Sequence, residues 1–320
     1  MWSMDEQLKE LRNLAAKAKN RLTETGIPRV AMVQGKIPEH ELSAVYDPMV
    51  NLILQGSKSM TIGDRTLHYC PANYFVMSVD LPAVGTVWPA ATGEPYLAVA
   101  LTLQPTLIAA LMADLPNSAY AEKTTTKAGN GFSVAAVTPD LMDAWVRMLR
   151  LMERPADIPA LAPVYEREIL YRVLQGPHGA MLRDIATPDS AIGRISLAIQ
   201  WIRRDFAEPM RVEALAQKAN MSVSAFHRHF KAVTAMSPVQ YQKRIRLLQA
   251  RTLLVVGRKS VTRAAFEVGY ESPTQFSREY ARAFGLSPGR DAEQILSRYA
   301  PTVDLGAPTQ RPMASYAASN

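Results

Sequence analysis

At 320 residues, 48% of them hydrophobic and 20% charged, the chain is long enough for two domains with cores of their own, and no run of 18 apolar residues predicts a membrane span. The start, MWSMDEQLKELRNLAAKAKNRL, is charged and amphipathic, which argues against a secretory signal; the single cysteine, Cys70, excludes an internal disulfide framework and fits a reducing cytoplasm. The net charge of +7 is unevenly shared: residues 191–300 hold 18 Lys and Arg against 8 Asp and Glu, a net of +10, which leaves 18 against 21, a net of −3, for the rest. Phosphate neutralisation needs such a local surplus, although a basic surface with no partner would carry one too.

In chain order, residues 5–22 read as an amphipathic helix with Leu8, Leu11, Leu14, Ala18 and Leu22 on one face, a stripe that serves either the chain's own core or a partner subunit. From Val30 to Thr102 the texture becomes short β-rich runs (VNLILQG, KSMTI, TLHYC, YFVMSV, TVW, YLAVALTL) punctuated by Gly, Pro, Asn and Asp, which predicts a small antiparallel barrel or sandwich. Cys70, inside one of these runs, is expected as a small buried hydrophobe, with a redox or electrophile sensor as the alternative. From Pro105 the chain turns helical. After one strand, GFSVAAV, the segments PDLMDAWVRMLRLMERP and DIPALAPVYEREILYRVLQG predict a helical hairpin with Leu141, Trp145, Met148, Leu149 and Met152 facing Leu161, Val164, Ile169, Leu170 and Val173. GPHGAMLRDIATPDS has the Gly, Pro and Asp of a linker, AIGRISLAIQWIRRDF opens a helical domain, and the Pro, Ala and Ser beyond Tyr299 predict a disordered tail.

The stretch from Met210 to Leu286 contains one small unit twice. Ala216, Asn220, Phe226 and Phe230 align with Ala265, Gly269, Phe276 and Tyr280, with one extra residue, Glu271, in the second turn. In each copy an alanine lies four residues before a residue able to adopt a left-handed backbone, and Ser222 or Ser272 caps the helix that follows. This predicts helix, tight turn, helix, pinned by the aromatic pair at i, i+4. Between the copies, SPVQYQKRIRLLQARTLLVVG reads as one helix from Ser237 to a stop at Gly257; about 18 residues at roughly 1.5 Å each span about 27 Å, near the roughly 34 Å between successive major-groove faces.

The paired units, the helix carrying RIRLLQARTLL and the run FEVGYESPTQFSREYARAFGLSP resemble the DNA-binding domain of AraC/XylS transcription regulators over roughly residues 195–295. One departure is visible: where the family carries an aromatic two residues beyond Ser-Pro-x, the chain reads Ser287-Pro288-Gly289-Arg290-Asp291. ILQGSKSMTIGDRTLHYCPANYFVMSVDLP and LTLQPTLIAALM resemble the N-terminal domain of one AraC-type subgroup. The resemblance implies an α+β chain: an N-terminal helix (1–25), a cupin-like antiparallel β-barrel with a helical hairpin, sensory or dimerising (26–187), an all-α domain with two helix-turn-helix units (188–299) and a tail (300–320). The hairpin would either dimerise the chain or merely cover the barrel.

Helix geometry places Phe226 and Phe230 inward, so Ser224, His227, Arg228 and Lys231 point out; Phe276 and Tyr280 likewise leave Thr274, Gln275, Ser277 and Arg278 outward. With Ser222 at the helix start, these are the candidate DNA-binding residues, through bases, phosphates or both. The expected partner is double-stranded operator or promoter DNA in the cytoplasm, at the nucleoid, with RNA polymerase, a small-molecule effector and a second copy of the chain as further candidates. No cofactor is expected. A metal-binding cupin needs a close His pair, a nearby Glu and a later His, whereas only His40 and His68 fall among the strands, and His227 and His229 lie about 200° apart on one helix. No nucleophile elbow or phosphate-binding loop occurs, so an enzyme is not expected; a cupin-type enzyme fused to a DNA-binding domain is the alternative.

Overall fold

A computed structural model of the chain describes residues 3–18, 21–35, 42–116 and 131–299; His40 and the expected tail beyond Tyr299 lie outside the described residues. The chain divides into two compact units, Met1–Leu248 and Gln249–Asn320.

The first unit opens with α1 (Met4–Ala15). The Ser3 hydroxyl accepts the Glu6 N–H at 3.2 Å and the Glu6 carboxylate accepts the Ser3 N–H at 2.7 Å, a capping box. Leu8, Leu11, Leu14 and Ala15 are buried, so the stripe serves the chain's own core. Leu22, expected on the same face, belongs to strand β1 (Arg21–Glu24) and is 66% exposed, because the helix has already stopped and its period no longer applies.

The strand-rich region forms β2 (Val30–Gly35), β3 (Leu42–Tyr46), β4 (Met49–Gln55), β5 (Ser57–Ile62), β6 (Arg65–Tyr69), β7 (Asn73–Met77), β8 (Leu81–Trp88), β9 (Tyr96–Thr102) and β10 (Phe132–Ala136). They pair antiparallel in two sheets, β1-β2-β9-β4-β7-β10 and β3-β8-β5-β6, which together make the barrel. Tyr69 joins the sheets: it stacks on Phe75 at 5.6 Å and its hydroxyl donates to Asn51 at 3.5 Å. Strands β4 and β9 are buried on both faces, which explains their unbroken apolar sequence. Cys70 is a correction: it is exposed at the β6–β7 turn, where its thiol meets the Asn73 side chain at 3.5 Å.

Helix α2 (Pro105–Ala113) precedes the predicted hairpin, α3 (Pro139–Arg150) and α4 (Ile158–Leu174), which are tied by Arg147 to Glu168 at 2.6 Å. Of its stripe, Leu141, Trp145, Met148, Leu149, Ile169, Leu170 and Val173 are buried, Met152 and Leu161 are half-buried, and Val164 is 56% exposed on the outer side of α4. The expected linker holds a helix, α5 (Gly179–Ala186), packed on α2; its Gly, Pro and Asp suggested a break, but Met181, Leu182 and Ile185 share one face and are buried.

Then come α6 (Ala191–Arg204), α7 (Val212–Lys218), α8 (Val223–Thr234) and α9 (Pro238–Val255), the last running unbroken from the first unit into the second, where α10 (Val261–Glu267), α11 (Pro273–Phe284) and α12 (Pro288–Tyr299) follow. Ser237 and Gln240 form a capping box at the start of α9. The helix stops just before Gly257 as expected, and Arg258 (φ 45°) takes the left-handed conformation after it, with Lys259 N–H donating to the Leu253 carbonyl at 3.1 Å.

Position 291 shows how the two copies of the repeat differ. In the first copy Tyr241 sets its ring edge against Phe230 at 5.6 Å. In the second the corresponding Asp291 accepts the Tyr280 O–H at 2.7 Å and a two-point contact from Arg251 at 2.8 and 2.9 Å. The aspartate that departs from the family pattern thus closes a buried polar network in place of an aromatic pair. Asp291→Ala would leave a guanidinium and a hydroxyl inside without their acceptor, and we expect a loss of about 3 kcal/mol in denaturant unfolding of the second unit. Asp291→Asn, which keeps an acceptor, should cost less.

Candidate nucleic-acid interface

The two helix-turn-helix units share one turn chemistry. Asn220 (φ 51°) and Gly269 (φ 84°) take the left-handed conformation. The next residue folds back five positions: Met221 N–H donates to the Ala216 carbonyl at 2.9 Å and Tyr270 N–H to the Ala265 carbonyl at 3.0 Å. Ala216 and Ala265 are buried, as the close approach of the two helices requires. Ser222 and Ser272 each cap the following helix by accepting an N–H at 3.3 Å, from Ala225 and Gln275. Phe226 and Phe230, like Phe276 and Tyr280, are fully buried with ring centroids 5.5 Å apart.

With those faces inward, α8 exposes Ser222, Ser224, His227, Arg228 and Lys231, and α11 exposes Thr274, Gln275 and Arg278. Ser277 is only partly exposed, and its hydroxyl donates to the Pro273 carbonyl at 2.8 Å within its own helix. Gln275 reaches Glu279 at 3.3 Å. Much of the basic surplus is paired internally: Arg203 with Asp80, Arg204 with Asp205, Arg251 with Asp291, and Lys259 and Arg263 with Glu267. Among the described residues no carboxylate pairs with Arg228, Lys231 or Arg278, so the outward cations of α8 and α11 are available to an external anion. Sequence reasoning passed over Arg282, exposed one turn beyond Arg278; continuing the outward face by i+4 would have found it.

Within the first unit the barrel touches the far end of α8 backbone to backbone. A Cβ on Gly63, in the β5–β6 turn (φ +58°), would lie 2.2 Å from the Ala235 carbonyl oxygen, and one on Gly131 would lie 2.1 Å from that of Val233. Beside this contact the Tyr241 hydroxyl donates to the Asp80 carbonyl at 2.8 Å, and Arg203 meets the Asp80 carboxylate at 2.5 Å and Asp47 at 3.9 Å. Burial pushes the Asp80 carboxyl up to about 6, against the pull of the Arg203 guanidinium. Among the described residues no three of His, Cys, Asp and Glu come together, and His68 is exposed.

Fold and site define a protein with an antiparallel barrel and a pair of helix-turn-helix units. The family model described as AraC-type transcriptional regulator N-terminus matches residues 26–181, and a helix-turn-helix domain model matches residues 215–294. The chain belongs to the AraC family of transcriptional regulators. It is similar to the HTH-type transcriptional activator RhaS of Salmonella schwarzengrund and of Salmonella arizonae, 34% identical in each case over 152 residues, 46% of this chain and 54% of the relative. The chain thus spans about half the length of the curated relatives it matches. Its fold is like that of ToxT from Vibrio cholerae in a structure with bound unsaturated fatty acid, with a TM-score of 0.54 at 11% identity over 82% of this chain and 94% of that one.

The glycine contacts give a local test. Gly63→Ala places a methyl group against backbone and forces an L-residue to hold φ +58°; together these should cost about 2 kcal/mol and speed amide exchange at Val233–Met236. Gly93→Ala, at φ +82° with nothing within 4 Å, should carry the backbone strain alone and leave that segment protected.

Proposed function

We propose that the chain is a sequence-specific DNA-binding regulator of transcription in which α8 and α11 enter adjacent major grooves. The observation that carries this reading is the duplicated turn with the cations Arg228, Lys231 and Arg278, which pair with no carboxylate among the described residues, on the exposed faces of the second helices. In these roles Arg228 and Arg278 bind guanine N7 and O6 in bidentate fashion and Gln275 binds adenine; Ser224, His227, Thr274 and Ser277 serve bases or phosphates, and Lys231 a phosphate. Ser222 sets the start of α8, whose N-terminal N–H groups favour an anion. The family and the activator role printed for RhaS favour a partner in RNA polymerase, and α3 and α4 are the surface assigned to a second copy. The reading gives the barrel a sensing rather than a catalytic role.

Arg228→Ala and Arg278→Ala should each weaken binding to the best operator by about 1–3 kcal/mol and relax base preference at one position, measured by mobility shift against operator and random duplexes. Equal losses on both duplexes would leave these residues as phosphate contacts only.

For the barrel, an effector should raise the melting temperature and shift operator affinity by a coupling of roughly 1–3 kcal/mol. A ligand that stabilises the chain and leaves operator affinity and transcription unchanged would refute the sensing role.

A further inference from the structure

The inner faces of the two sheets gather polar side chains that DNA binding does not use. In the four-stranded sheet Lys58 on β5 is the register partner of Tyr69 on β6, and its ammonium sits 5.3 Å from the ring centroid of Tyr46 on β3. From the six-stranded sheet come Asn51 on β4, which accepts the Tyr69 O–H and donates to the Val99 carbonyl at 3.2 Å, and Tyr96 on β9. Gly85 on β8 lets Tyr46 and Lys58 pack directly on the strand: a Cβ there would lie 2.8 Å from the Tyr46 hydroxyl oxygen and 3.2 Å from Lys58 Cε.

Two members of the cluster are buried polar groups that lack an oxygen acceptor among the described residues. Lys58 is 7% exposed, and among the described residues no carboxylate pairs with it; burial lowers its ammonium to about 8. Tyr96 is fully buried, and among the described residues its hydroxyl has no hydrogen-bond partner. A buried cation without a counter-ion and a buried donor without an acceptor are both unfavourable, and Met and Phe would fill the same volumes without that cost. Both groups lack the same thing, an oxygen acceptor carrying negative charge. The surrounding rings of Tyr46, Tyr69 and Phe75 suit an apolar body, and one cation suits one negative charge rather than a phosphate dianion.

We propose that the barrel interior binds a small organic carboxylate, whose oxygens accept from the Lys58 ammonium and the Tyr96 hydroxyl while its apolar body lies against Tyr46, Tyr69 and Phe75. The proposal rests on the sensing reading for its use, since it names the chemistry of the effector. The titratable groups facing Lys58 are Tyr46 from β3, Tyr69 from β6 and Tyr96 from β9, each raised by burial and neutral while Lys58 titrates; Val87 and Gly85 face it from β8. Carboxylate affinity should therefore fall above pH 8, by up to about tenfold per unit, as the ammonium loses its proton.

The test uses the full chain, with benzoate and hexanoate as probes and benzamide and hexanamide as their neutral counterparts, followed by thermal shift and calorimetry. At least one acid should raise the melting temperature while its amide does not. Lys58→Met should weaken that acid by about thirtyfold or more, and Tyr96→Phe, which removes one atom and keeps the ring, by about fivefold. Without ligand both variants should melt at or above the parent temperature, because each removes an unpaired buried polar group. The proposal is overturned if neither acid binds, if the amides bind equally well, if Lys58→Met binds the acids as the parent does, or if Lys58→Met melts lower without ligand. Lys58-dependent binding that leaves operator affinity unchanged would sink the sensing reading and keep the site. An effector that shifts operator affinity equally in the parent and in Lys58→Met would sink the site and keep the sensing reading.

Discussion

The bond from Met221 N–H to the Ala216 carbonyl, repeated from Tyr270 to Ala265, sets the geometry on which each helix-turn-helix depends. It closes only if the residue before it takes a left-handed backbone, which Asn tolerates and Gly adopts freely. Once closed, it fixes the angle between the helices, and that angle decides which side of the second helix is core. Phe226, Phe230, Phe276 and Tyr280 fill the inside, so the polar outer faces of α8 and α11 follow from the turn and are not independent features. The extra residue Glu271 lengthens the second turn without disturbing this bond, because it lies beyond the closing N–H.

In the first unit the same helix has two ends with different neighbours. Its N-terminal half carries Ser222, Ser224, His227 and Arg228, while its C-terminal end presents the Val233 and Ala235 carbonyls to glycines of the barrel. Ala235 holds φ 56° at the cap, a conformation that the corresponding position of the second copy gives to Gly285. The contact is backbone against backbone, with no flexible side chain to absorb a displacement. On the proposed reading, a shift of the β5–β6 turn or of the start of β10 therefore reaches α8 as a rigid-body displacement, and Tyr241 and Arg203 extend the contact through Asp80.

The parts of the fold legible in the sequence were those with strict local chemistry. The repeat, the serine caps, the left-handed Asn and Gly and the outward faces of α8 and α11 all follow from spacing within about fifteen residues. What escaped depended on distant partners. Helix α5 hid in a Gly- and Pro-bearing stretch because its stability comes from burying Met181, Leu182 and Ile185 against other helices. Cys70 was expected inside because it ends an apolar run, yet the strand stops at Tyr69 and the thiol falls on the turn. Asp291 read as a gap in a pattern because its partner Arg251 lies forty residues away, and the barrel cluster was invisible because Tyr46, Lys58, Tyr69 and Tyr96 meet only when the strands pair.

Two buried polar placements, at Asp291 and in the barrel cluster, differ in a way that separates structure from function. Asp291 is buried and fully met, by a guanidinium at two points and by a phenol; it replaces an aromatic pair with a network of comparable closure, so its presence asks for no ligand. Among the described residues the buried Tyr96 hydroxyl has no hydrogen-bond partner, and the buried Lys58 ammonium has the Tyr46 ring but no carboxylate. Folding free energy alone would select against both, since apolar residues of like volume pack a barrel better. Their retention makes sense where the missing acceptor arrives from outside, and a site that is unfavourable when empty is also one in which a bound anion has the largest effect on the surrounding strands. Lys58 lies on β5, and the turn leaving that strand contains Gly63, whose backbone abuts the end of α8. The strand that would feel the ligand is thus continuous with the turn that touches the reading helix.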